Sequence, residues 1–204
     1  MNMQEFEKVK NMTYLGYCDY LQKKYGIGRS DYMTKTFNKN PKVSRTKEGL
    51  YAHHKMEDRA PWLSNEEWAK NAPFEWQQKE NIVYCDALEH LFLHVLIYKY
   101  PSEERISDMP LGVSGIFCFM APELNDVYSG WVSEQTWRRT CHEKVIDDKD
   151  VYLSILKLLF DIDCNNDNIK VVANDLLTSY GEDYGVWSKS KNSALFEEIL
   201  ALEK

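Results

Sequence analysis

Four of the chain's five histidines fall between residues 53 and 94: an adjacent pair, His53 and His54, and a second pair, His90 and His94, spaced four apart. The second pair constrains the local fold most. Residues i and i+4 share one face of an α-helix. Asp86-Ala-Leu-Glu89 just ahead of the pair has the spacing of a capping box, and Pro101 supplies the stop. Before that helix, Asn81–Cys85 is apolar and partly β-branched, as a strand requires, and Gly49–His54 reads as an earlier strand. The predicted order is strand, long connection, strand, helix. His90 and His94 then form a bidentate platform for a divalent ion, and a third imidazole must come from His53 or His54. Adjacent strand residues point to opposite faces, so the two do not normally meet one ion. One imidazole can hold metal while its neighbour handles a proton, because neutral imidazole suits both tasks.

The flanks differ in charge. Residues 1–44 carry eight Lys/Arg against four Asp/Glu, 45–100 carry seven against nine, and 101–204 carry ten against nineteen, so a basic arm and an acidic tail sum to a net −7. An acidic total argues against indiscriminate coating of nucleic acid, yet a local basic arm can hold a phosphate backbone. The stretch 23–47 is such an arm, with eight cations against Asp31 alone and with Tyr25, Tyr32 and Phe37 interleaved. Arg29, Lys35, Lys39, Lys42, Arg45 and Lys47 are its candidate phosphate contacts. The competing reading is an ordinary solvated loop.

Residues 3–25 are predicted as one helix ending at Gly26, and Ser64-Asn-Glu-Glu67 as the start of a short capped helix. Beyond residue 101 the chain is expected to be mainly helical. Breaks fall at Gly112, Gly115 and Pro122, and a helix near 123–145 is interrupted at Ser129-Gly130. An apolar stripe runs over 150–161, a turn lies at 165–168, and helices follow at 169–180 and 192–203. The five scattered cysteines form no Cys-x-x-Cys and predict buried thiols rather than a disulfide frame. With no apolar run of about 18 residues and no secretion-type start, no membrane contact is expected and the cytoplasm is the expected compartment.

The residues of the central stretch resemble the HNH nucleases, whose core is a β-hairpin and a helix gripping one metal ion. His53-His54 stands where that family has a His-His or Asp-His, Asn81 where it has an Asn on the second strand, and His90 where it has a helical ligand. His94, one turn on, is similar to the third histidine of the bacterial colicin DNases. The resemblance covers residues 45–100. It departs from the family in the 27-residue gap from His54 to Asn81 and in lacking stapling cysteine pairs.

The resemblance implies an α+β chain with a ββα-metal core at 45–100, a helical, basic arm at 1–44 and an acidic, mainly helical region at 101–204 packed on the core. It implies His53, His90 and His94 as ligands of one divalent ion (Zn, Ni, Mn or Mg), His54 as general base, and Asn81 as the residue that orients His54 or braces its loop. The implied activity is metal-dependent hydrolysis of phosphodiester bonds, on DNA ahead of RNA. An RNA-cleaving effector is the first alternative. A non-catalytic HNH scaffold that binds a partner protein through its acidic helices is the second, and self-association is left open. Glu57 and Asp58 are candidate acceptors fixing a histidine tautomer, and Glu89 is expected to be a capping residue.

Overall fold

A computed structural model of the chain describes residues 1–162, 171–178 and 189–203. It is an α+β structure whose sheet is a single antiparallel pair, β1 (Tyr51–His54) and β2 (Ile82–Cys85). The register places Tyr51 opposite Cys85 and His53 opposite Val83. Strand alternation sorts the side chains by face. Tyr51, His53, Val83 and Cys85 look toward the main core, whereas Ala52, His54 and Ile82 look toward a smaller cluster with Tyr32, Met33, Val43 and Ala69.

The main core is organised around the helix that follows β2. Helices α1 (Met3–Val9) and α2 (Tyr14–Tyr25) precede the sheet, α3 (Glu66–Ala69) lies in the connection, and α4 (Ala87–Lys99) leaves β2 directly. The predicted capping box is present at its start: Asp86 accepts from the Glu89 N–H at 2.8 Å and Glu89 accepts from the Asp86 N–H at 2.7 Å. Eleven of its thirteen residues are buried, so α4 is enclosed on nearly every side rather than amphipathic. Phe92 takes edge contacts from Phe6 and Tyr17. The acidic C-terminal region joins the same core through α7 (Lys149–Phe160).

Several predicted boundaries move. The single helix expected over 3–25 is two helices, because the Thr13 side chain accepts from the Gly16 N–H and starts a new one. The cap of α3 is Asn65 rather than Ser64. Asn81 ends a 3-10 turn instead of beginning β2. Gly115 and Pro122 do not break the chain: a helical turn at Val113–Gly115 runs through a π-helical stretch, Ile116–Met120, into α5 (Ala121–Tyr128). Pro122 directly follows the π-helical stretch, at the second residue of α5. The later helices are α6 (Thr136–Glu143), α8 (Ala173–Thr178) and α9 (Lys189–Ala201). The turn expected at 165–168 and Cys164 lie outside the described residues. Cys18, Cys85, Cys118 and Cys141 are free thiols. Among the described residues no helix is long and apolar enough to cross a membrane.

Candidate metal centre

The end of β1 and the first two turns of α4 bring three imidazoles together. The ring centroids of His53, His90 and His94 lie 5.1–5.2 Å from one another, and one nitrogen from each falls within a common span of 4.8 Å. This cluster could hold a metal ion. The fit is tested by its hydrogen bonds. His94 Nδ1 lies 3.2 Å from the Gly112 carbonyl, which can only accept, so in the neutral ring Nδ1 carries the proton and Nε2 is bare. Tyr14 Oη lies 2.8 Å from His53 Nε2 and 3.2 Å from the His54 carbonyl, so Nε2 of His53 is engaged outside the cluster and Nδ1 is left toward it. Both remaining nitrogens, His53 Nδ1 and His94 Nε2, are buried without a hydrogen-bond partner. Orphaned nitrogens turned inward, with the opposite ring nitrogens tied to oxygen, are what a metal-binding imidazole requires. The residues present fit a divalent ion.

Burial pushes the His53 imidazole down to about 3 and the His90 imidazole well below its ordinary value, against the pull of the Glu57 carboxylate. Both rings are therefore neutral near pH 7, the form in which imidazole ligates. His90 is half-buried and stacked on Tyr51 at 5.8 Å. Tyr51 in turn donates to Glu123 Oε1 at 3.1 Å, which links the site to α5. His90, His94 and Glu57 form part of the wall of an open cavity of about 360 Å³, lined also by Trp62, Gly112 and Phe119.

Glu57 lies against three of the histidines, His53, His54 and His94. The turn after β1, in which the Glu57 N–H donates to the His54 carbonyl at 3.1 Å, folds its carboxylate back onto the strand end. Oε2 lies 3.5 Å from His53 Nδ1 and 3.3 Å from His94 Nε2, and Oε1 lies 3.3 Å from His54 Nδ1.

His54 is fully buried on the opposite face of β1, tilted against Tyr32. Its Nε2 meets Gln77 Oε1 at 3.0 Å, and the Gln77 amide is oriented by donation from Nε2 to the Leu63 carbonyl at 3.1 Å. In its neutral form His54 thus carries its proton on Nε2 and presents a bare Nδ1 to Glu57. Asn81 braces the loop: its Nδ2 donates to the Glu75 carbonyl at 2.8 Å, and its own carbonyl accepts from the Lys55 N–H at 2.8 Å. The contacts on the His54 ring nitrogens come from Gln77 and Glu57.

The basic arm divides. Arg45 and Arg29 are both engaged by Glu48, at 2.5 Å and 2.6 Å, and Arg45 also donates to the Tyr25 carbonyl. Lys35, Lys42 and Lys47 are exposed. Lys39 lies at the cavity wall, 5.2 Å over the Tyr32 ring.

Four residues that hold the site were not placed there from sequence: Tyr14, Gln77, Gly112 and, against His94, Gly115, the two glycines having been read as chain breaks. Only the glycines left a signal, as a pair three apart that suggests close backbone approach. Tyr14 and Gln77 act across 39 and 23 residues of chain, beyond any local pattern. Comparison with protein-family models, with curated proteins and with solved structures found no match to this chain.

Proposed function

We propose that the chain is a metal-dependent endonuclease of the HNH type, hydrolysing phosphodiester bonds in DNA on a ββα-metal core formed by β1, β2 and α4. The observation that carries this reading is the convergence of His53, His90 and His94 beside an open cavity, with one ring nitrogen of His53 and one of His94 buried without a hydrogen-bond partner. A divalent ion held there supplies Lewis acidity at the scissile phosphate and steadies the departing 3′-oxygen. The chain's own residues do the rest. Lys39 meets phosphate at the cavity wall, and Lys35, Lys42 and Lys47 hold the backbone on either side without reading bases. Glu57 separates His54 from the cavity, so the proton lost by the attacking water passes along its carboxylate to the bare Nδ1 of His54. Gln77 keeps His54 in the tautomer able to accept it.

The test is incubation of the purified chain with plasmid, single-stranded DNA and tRNA, each with Mg²⁺, Mn²⁺, Ni²⁺ or Zn²⁺. DNA cleavage that needs the ion and is lost in His90→Ala is the expected result. Cleavage confined to tRNA replaces DNA with RNA as the substrate. Intact nucleic acid in every arm, with metal bound, overturns the enzyme reading and leaves a scaffold that binds a partner.

A further inference from the structure

Three imidazole nitrogens face one carboxylate: His53 Nδ1, His94 Nε2 and His54 Nδ1 all lie within 3.5 Å of a Glu57 oxygen. The distances themselves have a metric meaning. Two ligands about 2.1 Å from an ion and a tetrahedral angle apart lie roughly 3.4 Å from each other. Glu57 Oε2 stands 3.5 Å from the orphaned nitrogen of His53 and 3.3 Å from that of His94, so each pair forms one edge of a coordination polyhedron.

From this geometry we infer that Glu57 is a fourth protein ligand of the ion, binding through Oε2 while Oε1 remains on His54. The inference rests on the reading that His53, His90 and His94 hold an ion. It gives the centre three nitrogens and one carboxylate oxygen, and it makes His54 a positioning residue for a ligand rather than the end of a proton path through Glu57. Four protein ligands saturate a tetrahedral ion. The ion able to admit a phosphate oxygen here is therefore one that takes five or six ligands, such as Mn²⁺, Co²⁺ or Ni²⁺, with the cavity side supplying the remaining positions.

The experiment uses the full chain, wild type and Glu57→Gln, Glu57→Ala and His90→Ala, each checked for fold by circular dichroism. Titration calorimetry with Mn²⁺ and Co²⁺ gives affinities, and the visible spectrum of the Co²⁺-loaded protein reports the ligand set directly. The expected result is loss of affinity in Glu57→Ala beyond about a hundredfold, the upper end for a residue that only supports a ligand. The Co²⁺ spectrum should shift in Glu57→Gln, which keeps the side-chain shape. Wild-type affinity and an unshifted spectrum in both Glu57 variants, with binding lost in His90→Ala, overturn the assignment of Glu57 and leave the three-histidine site standing. Wild-type binding in His90→Ala overturns both.

Discussion

At the scale of single residues, the site depends on ring orientation as much as on the presence of histidine. His94 presents Nε2 inward only because Nδ1 is tied to the Gly112 carbonyl, and that carbonyl comes close because residues 112–115 lie against α4. Gly112 has φ +87, and a Cβ there would run into the His94 carbonyl, so no other residue replaces it without strain. Gly115 matters differently. Its backbone is ordinary helix, but a Cβ would stand inside van der Waals contact with Nδ1 and Cε1 of the His94 ring. Gly115→Ala therefore forces the ring to turn, which breaks its bond to Gly112 and swings Nε2 off the centre. Metal affinity should fall by roughly tenfold or more, the scale of losing a ligand's outer support, with far-ultraviolet circular dichroism unchanged. Calorimetric titration checks it, and unchanged affinity shows that Gly115 does not set the ring.

At the scale of elements, α4 is both the centre of the core and the carrier of two candidate ligands. Its start is fixed by the reciprocal bonds of Asp86 and Glu89, and the buried Glu89 carboxylate also receives Lys24 at 2.7 Å. Asp86→Ala removes one side of the box and should lower unfolding stability by about 1–2 kcal/mol, read by urea denaturation. His90 donates its N–H to the Asp86 backbone carbonyl, which the substitution keeps, so metal stoichiometry should stay at wild type. This element was legible because its signals are local: a cap, an i, i+4 histidine pair and Pro101 all lie within one short stretch. The opposite facing of His53 and His54 was legible for the same reason, since strand alternation is a property of adjacent residues. The break between Val9 and Tyr14 was hidden, because apolar spacing continues across it and only the Thr13 cap hydrogen bond marks the start of the second helix. The π-helical stretch at Ile116–Met120 was also hidden. Gly115 and Pro122 look like breakers in sequence, whereas in the structure Gly115 packs on His94 and Pro122 directly follows the π-helical stretch. Of the site, the three ligand candidates were readable. The groups that bond the histidine rings were not, because Tyr14, Gln77 and Gly112 meet His53, His54 and His94 only after the chain has folded.

At the scale of the whole molecule, the histidine group ties together segments that share no local structure: the end of β1, the turn that carries Glu57, and α4. Tyr51 and Gly112 extend the link to the C-terminal region through Glu123 and the 112–128 helical run. In the unfolded chain these groups are scattered over residues 53–94 and cannot converge, so an ion that binds here binds the native state far more tightly. Such an ion stabilises the fold by RT ln(1 + [L]/Kd), about 2.7 kcal/mol when the free ion is a hundred times its Kd. For a chain of 204 residues each kcal/mol raises Tm by about 2–4 °C, so saturating metal should raise Tm by roughly 5–10 °C. Scanning calorimetry with chelator and then with Co²⁺ or Mn²⁺ reads this shift without any assumption about substrate. The shift should be absent in His90→Ala, whose half-buried ring can be truncated at the cavity wall without opening the main core. A shift of the same size in that variant places the stabilising ion elsewhere, because a site that has lost one of its three imidazoles cannot keep the full difference in affinity between folded and unfolded chain.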